Sequence, residues 1–109
     1  MDTIDIEYTT DTNKTLFINV KDERDDYVDI TGATVYFTVK EEYDTDPTDS
    51  NAIISIDVTS HTSPTLGKTE IEIPPTSPVN TTDCLYDIML KFPSGDKKQI
   101  SYGFFKFIN

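Results

Sequence analysis

The chain has 109 residues, a net charge of −11 from 20 acidic and 9 basic side chains, and one cysteine. Charge of this sign repels phosphate backbones and anionic membrane surfaces, so we expect neither nucleic acid nor a membrane as a partner. One cysteine excludes an internal disulfide, and the length predicts one domain over residues 1–109.

Composition favours strands over helices, because the chain holds 17 threonines, six tyrosines and six phenylalanines but two alanines. Apolar and polar residues alternate with a period of two in segments separated by turn-forming residues, which is typical of strands. The alternation is clearest in Val35, Phe37 and Val39. The predicted strands span roughly residues 3–8, 14–20, 33–40, 52–58, 68–73, 84–92 and 98–107.

The last two predicted strands form a hairpin. Pro93-Ser94-Gly95-Asp96 separates them, and Gly95 is expected to adopt a positive φ in this turn. Ile100 and Tyr102 share one parity, whereas Phe105 and Phe107 share the other. A β-bulge at Gly103 is therefore predicted, because one extra residue allows both pairs to face the core.

The number and spacing of the strands predict an all-β fold, an immunoglobulin-like β-sandwich of about seven antiparallel strands in two sheets. Tyr86 lies near the start of the sixth strand, where such folds often place a tyrosine whose hydroxyl bonds back across the preceding corner. The chain lacks the tryptophan and cysteine pair of antibody domains, so an antibody-type domain is not predicted.

Residues that could carry catalysis are scarce, and we predict that the protein is not an enzyme and has no cofactor. His61 lies among hydroxyl residues, but adjacent serine and histidine positions do not form a catalytic triad. Cys84 beside a strand pattern is predicted to be a small buried hydrophobe. No residue is assigned a catalytic role.

Acidic loops are the candidates for a metal site. Asp44 and Asp46, with Asp49, could supply oxygen ligands to calcium, and a second acidic group follows the second strand. Neither group matches the twelve-residue calcium loop, and acids in loops are usually solvated. The members of the second group are Asp22, Glu23, Asp25 and Asp26.

Three aromatic residues are candidates for protein contacts. Phe17 and Tyr36 alternate away from the predicted core, and Tyr43 begins the acidic loop. Aromatic side chains are enriched in protein interfaces, although outward aromatics on sheets also form cross-strand pairs. Exposed strand edges make a homo-oligomer an open alternative.

The sequence also contains motifs in a characteristic order. They are DITGATVYFTVK, then GKTEIEIPPT, then CLYDIMLKFPSGDKKQISYGFFKFIN. The chain resembles the immunoglobulin-like N-terminal domain of the baseplate upper protein of phages of Gram-positive bacteria, and similar small virion modules. A glycine that usually precedes the aromatic strand is replaced around Asp83-Cys84. The matching residues are Gly32, Val35, Phe37, Val39, Gly67, Tyr86, Asp87, Ile88, Leu90, Gly103 and Phe105.

This resemblance implies a structural role in a phage particle, as a baseplate or tail adaptor or as a module attached to the capsid surface or a fibre. Its expected partners are other virion proteins, and its expected location is the virion, with the host cytoplasm during assembly. Two alternatives remain open. One is a carbohydrate- or receptor-binding module built around Tyr43, and the other is an acidic inhibitor of a host enzyme.

Overall fold

The computed structural model describes residues 2–3, 5–41, 52–79 and 83–109, and these residues form an all-β structure. A short 3₁₀ turn, Pro64–Leu66, precedes the strand Lys68–Ile73. The predicted strand positions are confirmed, with the first strand divided into two short ones. The strands are β1 (Asp2–Thr3), β2 (Ile6–Thr9), β3 (Lys14–Asn19), β4 (Thr34–Glu41), β5 (Ile54–Val58), β6 (Lys68–Ile73), β7 (Asp83–Lys91) and β8 (Lys97–Ile108).

The larger sheet, sheet A, has the strand order β1-β8-β7-β4-β5, with β2 also beside β8. The pairs β4–β5, β4–β7 and β7–β8 are antiparallel. The prediction that all strands are antiparallel is wrong for the N-terminal segment, because β1 and β2 both run parallel to β8. Alternation of apolar residues specifies which face of a strand is buried, but it does not specify strand direction.

The smaller sheet, sheet B, pairs β3 with β6 in antiparallel register, with Leu16 opposite Ile71. The inward side chains of both sheets join one hydrophobic cluster, in which Ile71 of β6 and Phe37 of β4 are both fully buried. Strand β6 ends at Ile73, because Pro74, which follows it, has no N–H to donate to a strand partner.

An aromatic group occupies the part of the core near β2 and β8. The ring centroids of Phe105 and Phe107 are 5.0 Å apart, and Tyr8 lies 5.9 Å from both of them. Phe37 packs 6.0 Å from Phe105 and 6.1 Å from Tyr86. Such tilted and edge-on ring pairs add stabilisation beyond the area that they bury.

The β-bulge predicted in the last strand exists, but it lies at Ile100 and not at Gly103. Ile88 pairs with Ser101 and Met89 pairs with Gln99, so Ile100 has no residue opposite it on β7. Gly103 pairs regularly with Tyr86. Because the extra residue precedes Tyr102, that side chain points outward and is 43% exposed, whereas it had been expected to face the core.

Two glycines fix the turns around sheet B and the final hairpin. Gly95 has φ +97° in the turn between β7 and β8, which confirms its predicted conformation. Gly67 follows the 3₁₀ turn with φ +68°, and a Cβ at this position would lie 2.5 Å from the Val20 carbonyl oxygen and 2.7 Å from that of Val28. Glycine alone fits at position 67 without a backbone shift.

Candidate interaction face

The outer face of sheet A is the surface formed by the side chains of β4, β5, β7 and β8 that point away from the core. Side chains alternate between the two faces of a strand, and burial follows this alternation along β7 and along β8 after its bulge. Inward Tyr86, Ile88 and Leu90 are buried, whereas outward Leu85 is 39% exposed. This face is therefore available for contact.

Exposed apolar side chains are contiguous on this face. Leu85 lies directly opposite Phe104 in the register of β7 and β8, and Phe104 is 52% exposed. Tyr102 lies two residues before Phe104 on the same side of β8, and it pairs with Asp87. Large apolar side chains scattered singly over a surface need no explanation, but adjacent ones on one face are typical of contact sites.

Tyr36 extends this apolar surface toward β5. It lies between Met89 of β7 and Asp57 of β5 in the strand register, and its side chain is half-buried. The outward residues thus run from Phe104 and Leu85 on one side of the sheet to Met89 and Tyr36 on the other. A protein partner could bury aromatic rings of β4 and β8, together with Leu85 and Met89 of β7 between them.

The outer face of sheet A differs from the whole chain in charge. Its outward positions hold four lysines and three aspartates, whereas the whole chain carries −11. The Gln99 amide donates a hydrogen bond of 2.8 Å to Asp87, which orients that carboxylate on this face. The charged residues are Lys40, Lys91, Lys97 and Lys106 with Asp57, Asp83 and Asp87.

The structure does not bring the predicted contact residues together. Tyr36 belongs to the outer face of sheet A, but Phe17 lies on β3 in sheet B, opposite Glu70, and is 73% exposed. Tyr43 lies outside the described residues. Leu85, Tyr102 and Phe104 were not predicted as contact residues. A signal was present in the sequence, because the last two strands carry apolar residues at both odd and even positions, so that some of them must lie on the exposed face.

The first acidic group, Asp44, Asp46 and Asp49, lies outside the described residues, so calcium binding there stays a prediction. In the second group, the Asp22 carboxylate accepts hydrogen bonds from the backbone N–H groups of Arg24 at 2.9 Å and Asp26 at 3.0 Å. Asp25 forms an ion pair of 3.4 Å with Lys21. Within residues 5–41, 52–79 and 83–109, no three potential ligands from histidine, cysteine and the acids are grouped to hold a metal.

His61 connects three segments of the fold. Its Nε2 lies 2.7 Å from the carbonyl oxygen of Ala33, and its Nδ1 lies 2.8 Å from the hydroxyl of Thr69. A carbonyl oxygen can only accept a hydrogen bond, so Nε2 carries a proton and donates it. His61 thus positions the loop before β6 against the start of β4.

Cys84 is fully buried on β7. Burial, followed by the nearby negative charges of Glu41 and Asp83, raises the pKa of the thiol to about 11. The thiolate is the nucleophilic form of cysteine, so the side chain is unreactive at neutral pH. The prediction of a small buried hydrophobe is confirmed.

Tyr86 is buried on β7, and its hydroxyl lies 3.1 Å from the Ser101 hydroxyl on β8. Part of the corner that precedes β7, residues 80–82, lies outside the described residues, so the predicted corner bond stays a prediction. A different tyrosine links distant segments: the Tyr8 hydroxyl lies 2.8 Å from the Thr12 carbonyl oxygen and 2.9 Å from that of Pro74.

The part of the chain that the structure describes contains no helix of the length and apolar character needed to cross a bilayer. Comparison of the chain with protein-family models, with curated proteins and with solved structures found no match.

Proposed function

We propose that this protein is a non-enzymatic structural component of a phage virion, which binds other virion proteins through the outer face of sheet A. The observation that carries this proposal is the contiguous exposed apolar surface of Leu85, Tyr102 and Phe104 on two adjacent strands. The phage assignment itself comes from the resemblance of the sequence motifs to small virion modules.

The balance of charge supports this choice of surface. Lysines and aspartates are nearly equal in number on the outer face of sheet A, although the chain as a whole is strongly acidic. A second acidic protein can approach this face with less long-range repulsion than it meets elsewhere. Apolar centres surrounded by charged residues of both signs are typical of protein interfaces.

We further propose that the fold is an immunoglobulin-like sandwich. In that fold the sixth strand lies between the third and the seventh in one sheet, and the second strand pairs with the fifth in the other. When β1 and β2 are counted as one first strand, β4 is the third strand, β5 the fourth and β8 the seventh, so that β7 lies between the third and the seventh, and β3 pairs with β6 as the second with the fifth. The fourth strand, β5, lies beside β4, where variable-type domains also place a strand.

The experiment compares two variants of the purified protein for binding to purified virions. Leu85→Ser with Phe104→Ser removes exposed apolar groups from the outer face of sheet A, and we expect binding to fall at least tenfold. Leu66→Ser is the matched control, because Leu66 is 47% exposed but lies in the 3₁₀ turn away from this face. We expect the control to bind like the unmodified protein.

Equal binding by both variants would overturn the proposed surface, and absence of binding by the unmodified protein would overturn the proposed function. The salt dependence of binding distinguishes the proposed virion contact from the alternative of an acidic inhibitor of a host enzyme. Contact through apolar groups persists in high salt, whereas binding of the acidic chain to a basic host protein weakens steeply.

A further inference from the structure

Strand β3 has an open edge. Among the described residues it pairs on one side, with β6, and the Val20 N–H just after it donates a bond of 2.7 Å to the Gly67 carbonyl oxygen. Backbone groups of successive residues in an antiparallel strand point alternately to opposite sides. Thr15, Phe17 and Asn19 therefore direct their N–H and C=O groups away from β6, toward the open edge.

This edge has few of the features that usually prevent another strand from pairing. Natural edge strands are protected by prolines, by charged side chains, especially lysine, or by bulges. Strand β3 has no proline and no carboxylate, and its one charged residue, Lys14, lies at its first position. Phe17 on this strand is 73% exposed, the largest exposed fraction among the large hydrophobic side chains of the described residues.

Space for another strand lies beside this edge. A cleft of about 570 Å³ runs along the whole of β3, between it and sheet A. Its walls include Leu16 and Ile18 of β3 and, across the cleft, Ile6 and Ile100, all of them half-buried. Inward side chains of an added strand would meet an apolar surface there.

The sequence of β3 is nearly symmetric about Phe17. One residue away on either side are the apolar Leu16 and Ile18, and two residues away are the polar Thr15 and Asn19. A strand with this symmetry is complementary to an antiparallel copy of itself, as a twofold interface requires.

We propose that two copies of this protein pair through β3, antiparallel about a twofold axis at Phe17, so that the two small sheets join into one four-stranded sheet. Phe17 then lies opposite Phe17 of the second copy, and Thr15 lies opposite Asn19. The three outward-directed residues of each strand form about six backbone hydrogen bonds across the joint. Leu16 of one copy lies opposite Ile18 of the other, over the cleft.

Charge favours a second copy as the occupant. The pairing brings no carboxylate of β3 against another, since the strand has none and its one charged residue is Lys14 at its start. Two molecules of charge −11 repel each other at long range, and salt screens this repulsion. The dimer is therefore expected to strengthen as salt concentration rises. This surface lies on sheet B, so the inference is independent of the proposed virion contact on sheet A.

Disulfide trapping in a Cys84→Ala background tests the register. In the pairing proposed, the two Cα atoms at position 17 are about 5.5 Å apart, within the range of a disulfide, so Phe17→Cys forms a covalent dimer on mild oxidation. Thr15→Cys is the control, because its two copies are roughly 14 Å apart along the strands. A mixture of Thr15→Cys and Asn19→Cys is expected to yield the mixed dimer.

Light scattering of the unmodified chain at low and high salt keeps the test independent of these variants. We expect a dimer whose population rises with salt concentration. Phe17→Lys is expected to raise the dissociation constant of the dimer at least tenfold and to leave binding to virions unchanged. A chain that stays monomeric at high salt would overturn the proposal. So would equal yields of covalent dimer when Phe17→Cys and Thr15→Cys are each oxidised separately.

Discussion

At the scale of single residues, Gly67 is the most tightly constrained of the described glycines that have a positive φ. Its positive φ and the two carbonyl oxygens close to its Cβ direction both exclude a side chain. Gly67→Ala is expected to lower the free energy of unfolding by about 2–4 kcal/mol, from left-handed strain together with overpacking. Urea denaturation measures this change.

Gly95→Ala is the matched control for that substitution. Gly95 also has a positive φ, but no atom lies within 4 Å of the position of its Cβ. We expect a loss of about 1–2 kcal/mol, from backbone strain alone. Equal losses for the two variants would show that close contact with Val20 and Val28 does not constrain position 67.

The buried thiol predicts a pH dependence of stability. The pKa of Cys84 is raised to about 11 in the folded protein from an ordinary value of 9.0, so between these values the folded state holds a proton that the unfolded state has lost. The stabilising contribution is complete below pH 9 and is lost as pH rises through 11. Urea denaturation of the unmodified protein and Cys84→Ala, at pH 8 and pH 10.5, isolates this effect.

We expect the unmodified protein to lose more stability than Cys84→Ala between those two pH values. Iodoacetamide at pH 8 is expected to alkylate the thiol in urea and to leave it unmodified in the native protein. Rapid alkylation of the native protein would contradict the burial of Cys84.

At the scale of elements, Tyr8 connects the turn after β2 with the end of β6. Its one hydroxyl proton is shared between the carbonyl oxygens of Thr12 and Pro74, and its ring is fully buried. Tyr8→Phe retains the ring and removes the hydroxyl, so we expect a loss of about 1–2 kcal/mol in the free energy of unfolding.

Tyr102→Phe is the control for Tyr8→Phe, since Tyr102 is 43% exposed and water can replace its hydroxyl contacts. Its effect is expected to stay within about 0.5 kcal/mol. Thermal denaturation of both variants provides the comparison, and an unchanged stability of Tyr8→Phe would show that this link does not hold the two segments together.

Strand positions could be predicted from the sequence because period-two alternation is a local property, as in β4, where Val35, Phe37 and Val39 are all fully buried. The turn at Gly95 was predictable for the same reason. The parallel pairing of β2 with β8 joins residues about a hundred positions apart, which no local pattern encodes. Ile100 and Phe105 can face the same side of β8 only if one extra residue is inserted, so the sequence predicts a bulge. Its position at Ile100 depends on the register with β7.

The candidate site was less predictable than the fold. Tyr36 was identified because it alternates with buried neighbours, but Leu85 and Phe104 become adjacent only when β7 and β8 pair. The contacts of His61 with Ala33 and Thr69 likewise depend on tertiary structure. Sequence patterns assign a residue to a face, whereas neighbours on that face come from strand order.

At the scale of the whole molecule, we propose that this acidic protein contacts other virion proteins through the outer face of sheet A, where lysines and aspartates are nearly equal in number. Cross-linking mass spectrometry of purified virions with a lysine-reactive reagent tests it most directly, because lysines lie on both sheets. We expect the chain to be present. We also expect Lys91, Lys97 and Lys106, on the outer face of sheet A, to cross-link to another virion protein more often than Lys14 and Lys68 of sheet B. Absence of the chain from virions, or cross-links to other virion proteins confined to sheet B, would contradict it.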